Sequence, residues 1–515
     1  MKKTVVVLML LTILSKLLGF GRDIILSFFY GASNISDVFL ISLTIPMVLI
    51  TILGKGISAG FIPMYTRIES KEGLEKAHRY TNNIMNLVIV ICTVILLVGL
   101  FFTEPIVKLF ASGFVDETLE LTVEFSRITL LGIYFIGLNY VYTAYLQLKG
   151  VFIVPSLLGI PANFLVIGSI YLSAITNAYA LAVGNLIAFI VQFVLLFIFC
   201  RKNQFKYVPQ LDIKDNNIRK MMVLAFPAML GTSVAQINLL IDRTLASQIA
   251  VGGITALTYS STLSVVIIGV FVLSINSVLY PKISRLCAEN KIDDLKIVLT
   301  GAISAINILV MPAIVGMMIL AEPIIVFLYG RGQFDSQAIA MTSSALFFYS
   351  IGIIGLSHRE ILSNTFYSLQ DTKTPMINAA IAMFLNIVLN LVLSRYMGIG
   401  GLALASSISA IFCTLLLLIN LKKRIGNLGL KNILSSFFKV LFASLVMGGV
   451  TKFIYSILDN HLGLTFSLII SVFLGASIYF VLIYVMRIKE INILVLEVKR
   501  RLKGSREQKY LRSLQ

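Results

Sequence analysis

Charge is scarce in this chain. Of 515 residues only 13% are Asp, Glu, Lys or Arg, while 58% are apolar; a soluble protein carries about twice that charged fraction. Tryptophan is absent, histidine occurs three times and cysteine four times. Cys92, Cys200, Cys287 and Cys413 are far apart and share no ligand spacing with His78, His358 or His461, so no metal-enzyme cluster is expected. Walker and dinucleotide glycine patterns are missing, which leaves the chain without an ATPase of its own. No large soluble segment carries an acidic metal site, which argues against a glycosyltransferase.

What is abundant is long apolar sequence, with a mean hydropathy of +0.94. Runs of near-span length recur along almost the whole chain, each long enough to cross about 30 Å of hydrocarbon as a helix. A helix satisfies its own backbone groups in lipid, as an open sheet cannot. The expected fold is an all-α polytopic membrane protein with fourteen transmembrane helices, centred near residues 15, 45, 93, 137, 163, 189, 231, 266, 310, 351, 385, 411, 445 and 475. With the N-terminus placed inside the cell, 33 Lys and Arg fall on inside segments, five outside and four within spans. That bias is the positive-inside pattern and predicts both termini in the cytoplasm. It accounts for the net charge of +18 without nucleic acid; the basic tail is expected to meet anionic membrane lipids.

The chain repeats itself. "GFIPMYTRIES" (60–70) matches "VLYPKISRLCA" (278–288), and "FTEPIVKLFASGFVD" (102–116) matches "LAEPIIVFLYGRGQFD" (320–335). Pro63 and Pro281 lie 218 apart, as do Glu104 and Glu322, and Pro155 and Pro375 lie 220 apart. An offset spanning six crossings preserves orientation, so two parallel six-helix repeats are expected, followed by two additional helices. The predicted organisation is a first lobe over 1–200, a cytoplasmic linker over 201–220, a second lobe over 221–424, two further spans over 425–486 and a basic cytoplasmic tail over 487–515.

Charge inside the first span demands a reason. On a helical wheel Ser15, Lys16, Gly19, Arg22 and Asp23 fall within an arc of about 120°. A cation at the membrane centre costs at least about 2.5 kcal/mol on insertion scales. The functional expectation is a wet cavity where Lys16 and Arg22 meet an anion; the alternative is snorkelling or an internal pair of Arg22 with Asp23 or Asp37. Arginine's planar fork suits phosphate oxygens. Asp242–Arg243 forms a second span-terminal pair at about the repeat offset. Asn386 and Asn390, four apart, share a helix face. With Asp242 they could form an oxygen site for a small cation, or simply hydrogen-bond between helices.

"LSKLLGFGRDIILSFFYGASNISDVFLISLTIP" (14–46), "GKGISAGFIPMYTRIE" (54–69), "NLLIDRTLASQIAVGGITALTYSSTL" (238–263) and "REILSNTFYSLQDTKTP" (359–375) resemble blocks of the bacterial lipid II flippase family, MurJ/MviN. The likeness spans at least 4–420. It implies fourteen helices, two six-helix lobes, a cationic central cavity and movement of undecaprenyl-pyrophosphate-linked peptidoglycan precursor from the inner to the outer leaflet of the bacterial cell membrane. It implies substrate contacts at Lys16, Arg22 and Asp37, with lysine at the first in place of the family's arginine. Two further basic positions of the family fall on Ile50 or Thr51 and on Thr262, neither of them basic; Lys55 lies close enough to the first to compensate. In some members sodium binds between the seventh, eleventh and twelfth spans, which places it near Asp242, Asn386, Asn390 and Ser406.

The expected function is therefore leaflet transfer of lipid II by alternating access, without covalent chemistry or a cofactor, and with sodium or membrane potential as possible coupling. Cell-wall synthesis enzymes are possible partners. The missing basic residues keep another polyprenyl-pyrophosphate-linked glycan open as cargo. The same apolar, duplicated chain also admits an ion-coupled multidrug extruder or a membrane scaffold for envelope enzymes.

Overall fold

The computed structural model describes residues 2–486, and the basic tail expected over 487–515 lies outside the described residues. All regular structure among the described residues is helical, as a chain that must satisfy its backbone within lipid requires. In order the helices are α1 (Lys2–Tyr30), α2 (Asn34–Glu72), α3 (Leu74–Phe101), α4 (Thr103–Phe110), α5 (Asp116–Leu130), α6 (Ile133–Leu148), α7 (Ile153–Leu157), α8 (Gly159–Ile175) and α9 (Tyr179–Lys202). Then follow α10 (Asn216–Ile249), α11 (Gly253–Ile267), a π-helical turn (Ile268–Val272), α12 (Leu273–Ala288), α13 (Ile292–Ile319), α14 (Ala321–Tyr329), α15 (Ser336–Ser368), α16 (Lys373–Ile425) and α17 (Leu430–Val485). Among the described residues eleven helical stretches are long and apolar enough to span a membrane. The two longest are bent, α16 at Gly398 and α17 at Gly463, where the backbone leaves helical geometry.

The chain divides into two compact units, one of Met1–Tyr259 with Leu328–Met341 and one of Ser260–Phe327 with Thr342–Gln515. The first unit is built around α2, which packs on α3, α5, α6 and α10. Its start is set by Ser33 and Ser36: the Ser33 N–H donates to Ser36 Oγ at 2.9 Å, and the Ser36 N–H points back to Ser33 Oγ at 3.5 Å. Such a capping box satisfies two of the donors a helix start leaves unpaired. Helix α10, which follows the α9–α10 segment, joins this unit because α2 lets it approach. A Cβ at Gly60 would stand 2.8 Å from Met221 Cγ and 2.9 Å from the Met221 carbonyl oxygen, so only glycine admits the two backbones at that distance.

The segment between α9 and α10 is not a slack tether. Phe205 is buried against the rings of Tyr142 and Tyr145. Beyond it the chain runs along α3 and is held by three asparagine amides. Asn82 Nδ2 donates to the Lys206 carbonyl at 2.9 Å, and its Oδ1 accepts from the Val208 N–H at 3.1 Å. Asn83 does the same with Asp212, at 2.9 and 2.7 Å. Asn86 Nδ2 donates to the Gln210 carbonyl at 2.8 Å. Asn82 and Asn83 each supply the donor and acceptor that a neighbouring strand would supply.

In the second unit α13 packs along α17, and the Tyr479 hydroxyl donates to the Ile308 carbonyl at 2.7 Å. Helices α15 and α16 are stitched by hydroxyls: Ser407 donates to the Phe348 carbonyl and Thr414 to the Gly355 carbonyl, both at 2.6 Å. Arg424, near the end of α16, reaches back to Asp371 and to the Leu369 carbonyl.

Candidate functional site

Helix α1 carries the cations that the sequence singles out. Lys16 is exposed and makes no ion pair among the described residues. Arg22 is half-buried, with 29% of its side chain exposed, and binds Asp23. Its Nε, at 3.1 Å, and Nη2, at 2.8 Å, both donate to the same oxygen, Oδ1. Arg22 and Asp23 thus form the internal pair that the sequence offered as one possibility.

The polar arc does not face one surrounding. Asn163 of α8 donates to the Ser15 carbonyl at 3.3 Å and lies 3.7 Å from where a Cβ of Gly19 would stand. Phe20, Asp23 and Ser27, at i, i+3 and i+7, share another face. That face meets Tyr329: Phe20 packs edge-on to its ring at 6.0 Å, and Ser27 Oγ donates to its carbonyl at 3.2 Å. Asp23 sits between those two contacts and is buried.

Asp37, in the first turn of α2, is 1% exposed. Its Oδ2 accepts from the Gly252 N–H at 2.9 Å, and its Oδ1 accepts from the Thr255 N–H at 2.8 Å and the Thr255 hydroxyl at 2.6 Å. These N–H groups open α11, where a helix presents unpaired donors and a positive dipole end to a carboxylate. Gly252 adopts φ +77°, and a Cβ there would stand 2.2 Å from the Ala32 carbonyl oxygen. The turn before α11 therefore needs glycine twice over, for its backbone conformation and for the approach to the α1–α2 corner. Nearby, the Gln333 N–H donates to the Phe28 carbonyl at 3.0 Å, and Thr244 Oγ1 donates to the Leu109 carbonyl at 2.6 Å. The sequence named Asp37 but missed Gly252 and Thr255.

Lys55 is exposed on α2. Ile50 is 1% exposed and lines an apolar crevice with Ile84, Val88 and Met221, so that position provides no place for a charge. Thr51 is half-exposed, as is Thr262 in the second unit.

The residues expected around sodium fall in different units. Asp242 belongs to the first, where Asn238 Nδ2 donates to its Oδ2 at 3.4 Å. In the second, Asn390 Nδ2 donates to Asn386 Oδ1 at 2.9 Å, and Asn386 Nδ2 donates to Ser406 Oγ at 3.3 Å. A sodium ion needs oxygen lone pairs turned inward. Here amide hydrogens meet Asn386 Oδ1 and Ser406 Oγ, so the three residues form a hydrogen-bonded chain in which each of those oxygens keeps a second lone pair. Among the described residues no cluster of three His, Cys, Asp or Glu could hold a metal ion.

Comparison with known proteins decides the family. The family model described as "Lipid II flippase MurJ" matches residues 26–473. The chain belongs to the MurJ lipid II flippase family. A Vibrio cholerae protein named "Probable lipid II flippase MurJ" is 30% identical over 421 residues, covering 79% of this chain and 80% of that protein. A relative of the same name from Buchnera aphidicola subspecies Schizaphis graminum is 27% identical over 506 residues, covering 95% of this chain and 98% of that protein. A solved structure, "Lipid II flippase MurJ, inward closed conformation", superposes with TM-score 0.82 at 26% identity, covering 94% of this chain and all of that one. An inward-facing MATE transporter of the MOP superfamily superposes with TM-score 0.71 at 16% identity, which is likeness of fold alone. Membership makes the chain a multi-pass transporter of the bacterial inner membrane, a lipid II flippase rather than an enzyme.

Proposed function

We propose that Lys16 and Arg22 receive the pyrophosphate of the polyprenyl-linked peptidoglycan precursor as it crosses the membrane. The observation that carries this is the state of the two cations: Lys16 exposed, and Arg22 part-exposed with its guanidinium resting on one carboxylate oxygen. A guanidinium so held can exchange one acceptor for a phosphate without a change of backbone, and its planar fork matches phosphate oxygens. With Ile50 buried among apolar side chains and Thr262 neutral, the anion's charge falls on Lys16, Arg22 and the exposed Lys55.

Asp37 takes a different part. Buried and held by three bonds to the start of α11, it is not open to a headgroup; it closes that end of the first unit and must let go for the end to open. Alternating access is the cycle this supports. The headgroup enters where α1 offers its cations, the tail stays in the bilayer, and release of the Asp37 bracket opens the far side. Fourteen crossings are supported by the eleven long apolar stretches once α16 and α17 count twice, at Gly398 and Gly463, and α1 is added. An even number agrees with cytoplasmic termini. A membrane potential of 100 mV supplies only about 2.3 kcal/mol per charge moved, enough to bias such a cycle.

The test is translocation of lipid II by purified protein in liposomes. Lys16→Ala/Arg22→Ala is expected to lose transport at least ten-fold, and wild-type transport in that variant would reject the assignment. Depletion in the native cell is expected to accumulate lipid II; accumulation of another polyprenyl-linked glycan instead would reassign the cargo.

A further inference from the structure

Two tyrosines, one of them against the face of α1 that carries Asp23, have hydroxyls that nothing so far uses. Tyr259 of α11 and Tyr329 at the end of α14 stack with ring centroids 4.5 Å apart and an interplanar angle of 9°. Phe334 closes on both, at 6.2 and 6.0 Å. Tyr259 is 0% and Tyr329 1% exposed, yet neither hydroxyl has a hydrogen-bond partner among the described residues. A buried hydroxyl without a partner is costly, and such a group calls for an explanation. Tyr329 lies against the face of α1 formed by Phe20, Asp23 and Ser27.

Release of Arg22 raises a problem. Asp23 is buried, and its Oδ1 accepts both bonds from Arg22. If the guanidinium turns to a phosphate, a buried carboxylate is left behind, and breaking a buried ion pair by removing one partner is strongly destabilising. We propose that Tyr259 and Tyr329 are positioning residues that take over the Asp23 carboxylate when Arg22 turns to the pyrophosphate, donating the hydroxyl hydrogens that are unpaired here. The inference rests on the reading that Arg22 receives that group. It gives two orphan donors and one abandoned acceptor a common purpose: Asp23 parks Arg22 before binding, and the tyrosines hold Asp23 during it.

The experiment is binding of undecaprenyl pyrophosphate to the full-length protein in nanodiscs. Tyr259→Phe/Tyr329→Phe keeps both rings and removes only the hydroxyls. It is expected to weaken binding roughly ten-fold, the factor that one hydrogen bond to a charged group commands. In an Asp23→Asn background, where no carboxylate is abandoned, the same pair of changes is expected to weaken binding less than about two-fold, a coupling that a double-mutant cycle isolates. Unchanged binding in the double phenylalanine variant, or an equal loss in both backgrounds, would overturn the proposal. Arg22→Ala separates the two levels: wild-type binding there sinks the reading of Arg22 itself, whereas lost binding there with normal binding in the phenylalanine variant sinks only the tyrosines. Should Asp23→Asn not fold, infrared difference spectra on adding undecaprenyl pyrophosphate supply the second measurement. A shift of a tyrosine C–O band, absent from the double phenylalanine variant, is expected, and no such shift in the wild type counts against the proposal.

Discussion

Oδ1 of Asp37 receives both hydrogens that Thr255 can offer, the backbone N–H at 2.8 Å and the hydroxyl at 2.6 Å. A charged, fully buried acceptor at a helix start makes each of these bonds worth more than a neutral one, about 1.5–3 kcal/mol apiece. Asp37→Ala should therefore lower stability by roughly 2–4 kcal/mol and speed amide exchange at residues 252–255. Wild-type thermal stability together with unchanged exchange at those amides would mean that the bracket does not hold the start of α11.

Lys16 and Arg22 should differ in how they tolerate exchange of their cations. Arg22 uses Nε and Nη2 together, and an ammonium cannot reproduce that pair. Arg22→Lys is expected to slow lipid II translocation by about ten-fold, in keeping with the loss of one charge-assisted bond. Lys16, exposed and without an ion pair among the described residues, should accept arginine with less than about a two-fold change. Rates in liposomes that fall equally for both variants would show that charge alone matters at Arg22.

The asparagine amides on α3 should govern how firmly the α9–α10 segment is held. Asn83→Ala leaves the Asp212 N–H without its acceptor and its carbonyl with only the Asp215 N–H, at about 1–2 kcal/mol. Hydrogen exchange over residues 206–212 should rise in Asn83→Ala and rise further in Asn82→Ala/Asn83→Ala, with α3 itself unaffected. Protection that survives both changes would show the segment to be held by Phe205 and Asn86 without the other two amides.

Acid should loosen the Asp371 contact in the second unit. Partial burial pushes the Asp371 carboxyl up, but the Thr374 N–H at 3.0 Å, the Thr374 hydroxyl at 2.8 Å and Arg424 together hold it below the usual carboxylate value of 3.8. A carboxyl depressed by folding contributes stability above its unfolded pKa and loses that contribution as pH falls through the folded value. The melting midpoint should thus be insensitive to this group from neutrality down to about pH 4 and fall below it. The fall should be shallower in Arg424→Ala, and an identical acid profile in that variant would remove Arg424 from the account.

The long apolar runs announced a helical membrane protein because lipid permits little else, and the residues that carry charge into α1 were visible as exceptions to those runs. The use of these residues was harder to see. Ser15 and Gly19 share an arc with Lys16 and Arg22, yet Asn163, far along the chain, draws that edge of α1 onto α8. Asp37 stood out as an acid beside a span, but its partner lies elsewhere in the sequence. A signal did exist: Thr255 follows Asp37 by 218 residues, the same offset that separates Pro63 from Pro281. Tyr259 and Tyr329 gave no such hint, since two tyrosines among 20 Tyr and 34 Phe look like ordinary packing. Only the geometry shows two hydroxyls buried without partners.

Because the chain between α9 and α10 borrows its hydrogen bonds from Asn82, Asn83 and Asn86, its length is fixed by the spacing of those three amides. Surface loops usually accept added residues at a small entropic cost. Here one extra residue between Val208 and Asp212 would carry every later peptide group past its amide, as a slipped register does in a sheet. Reporter insertions and spacer peptides therefore belong elsewhere in this molecule.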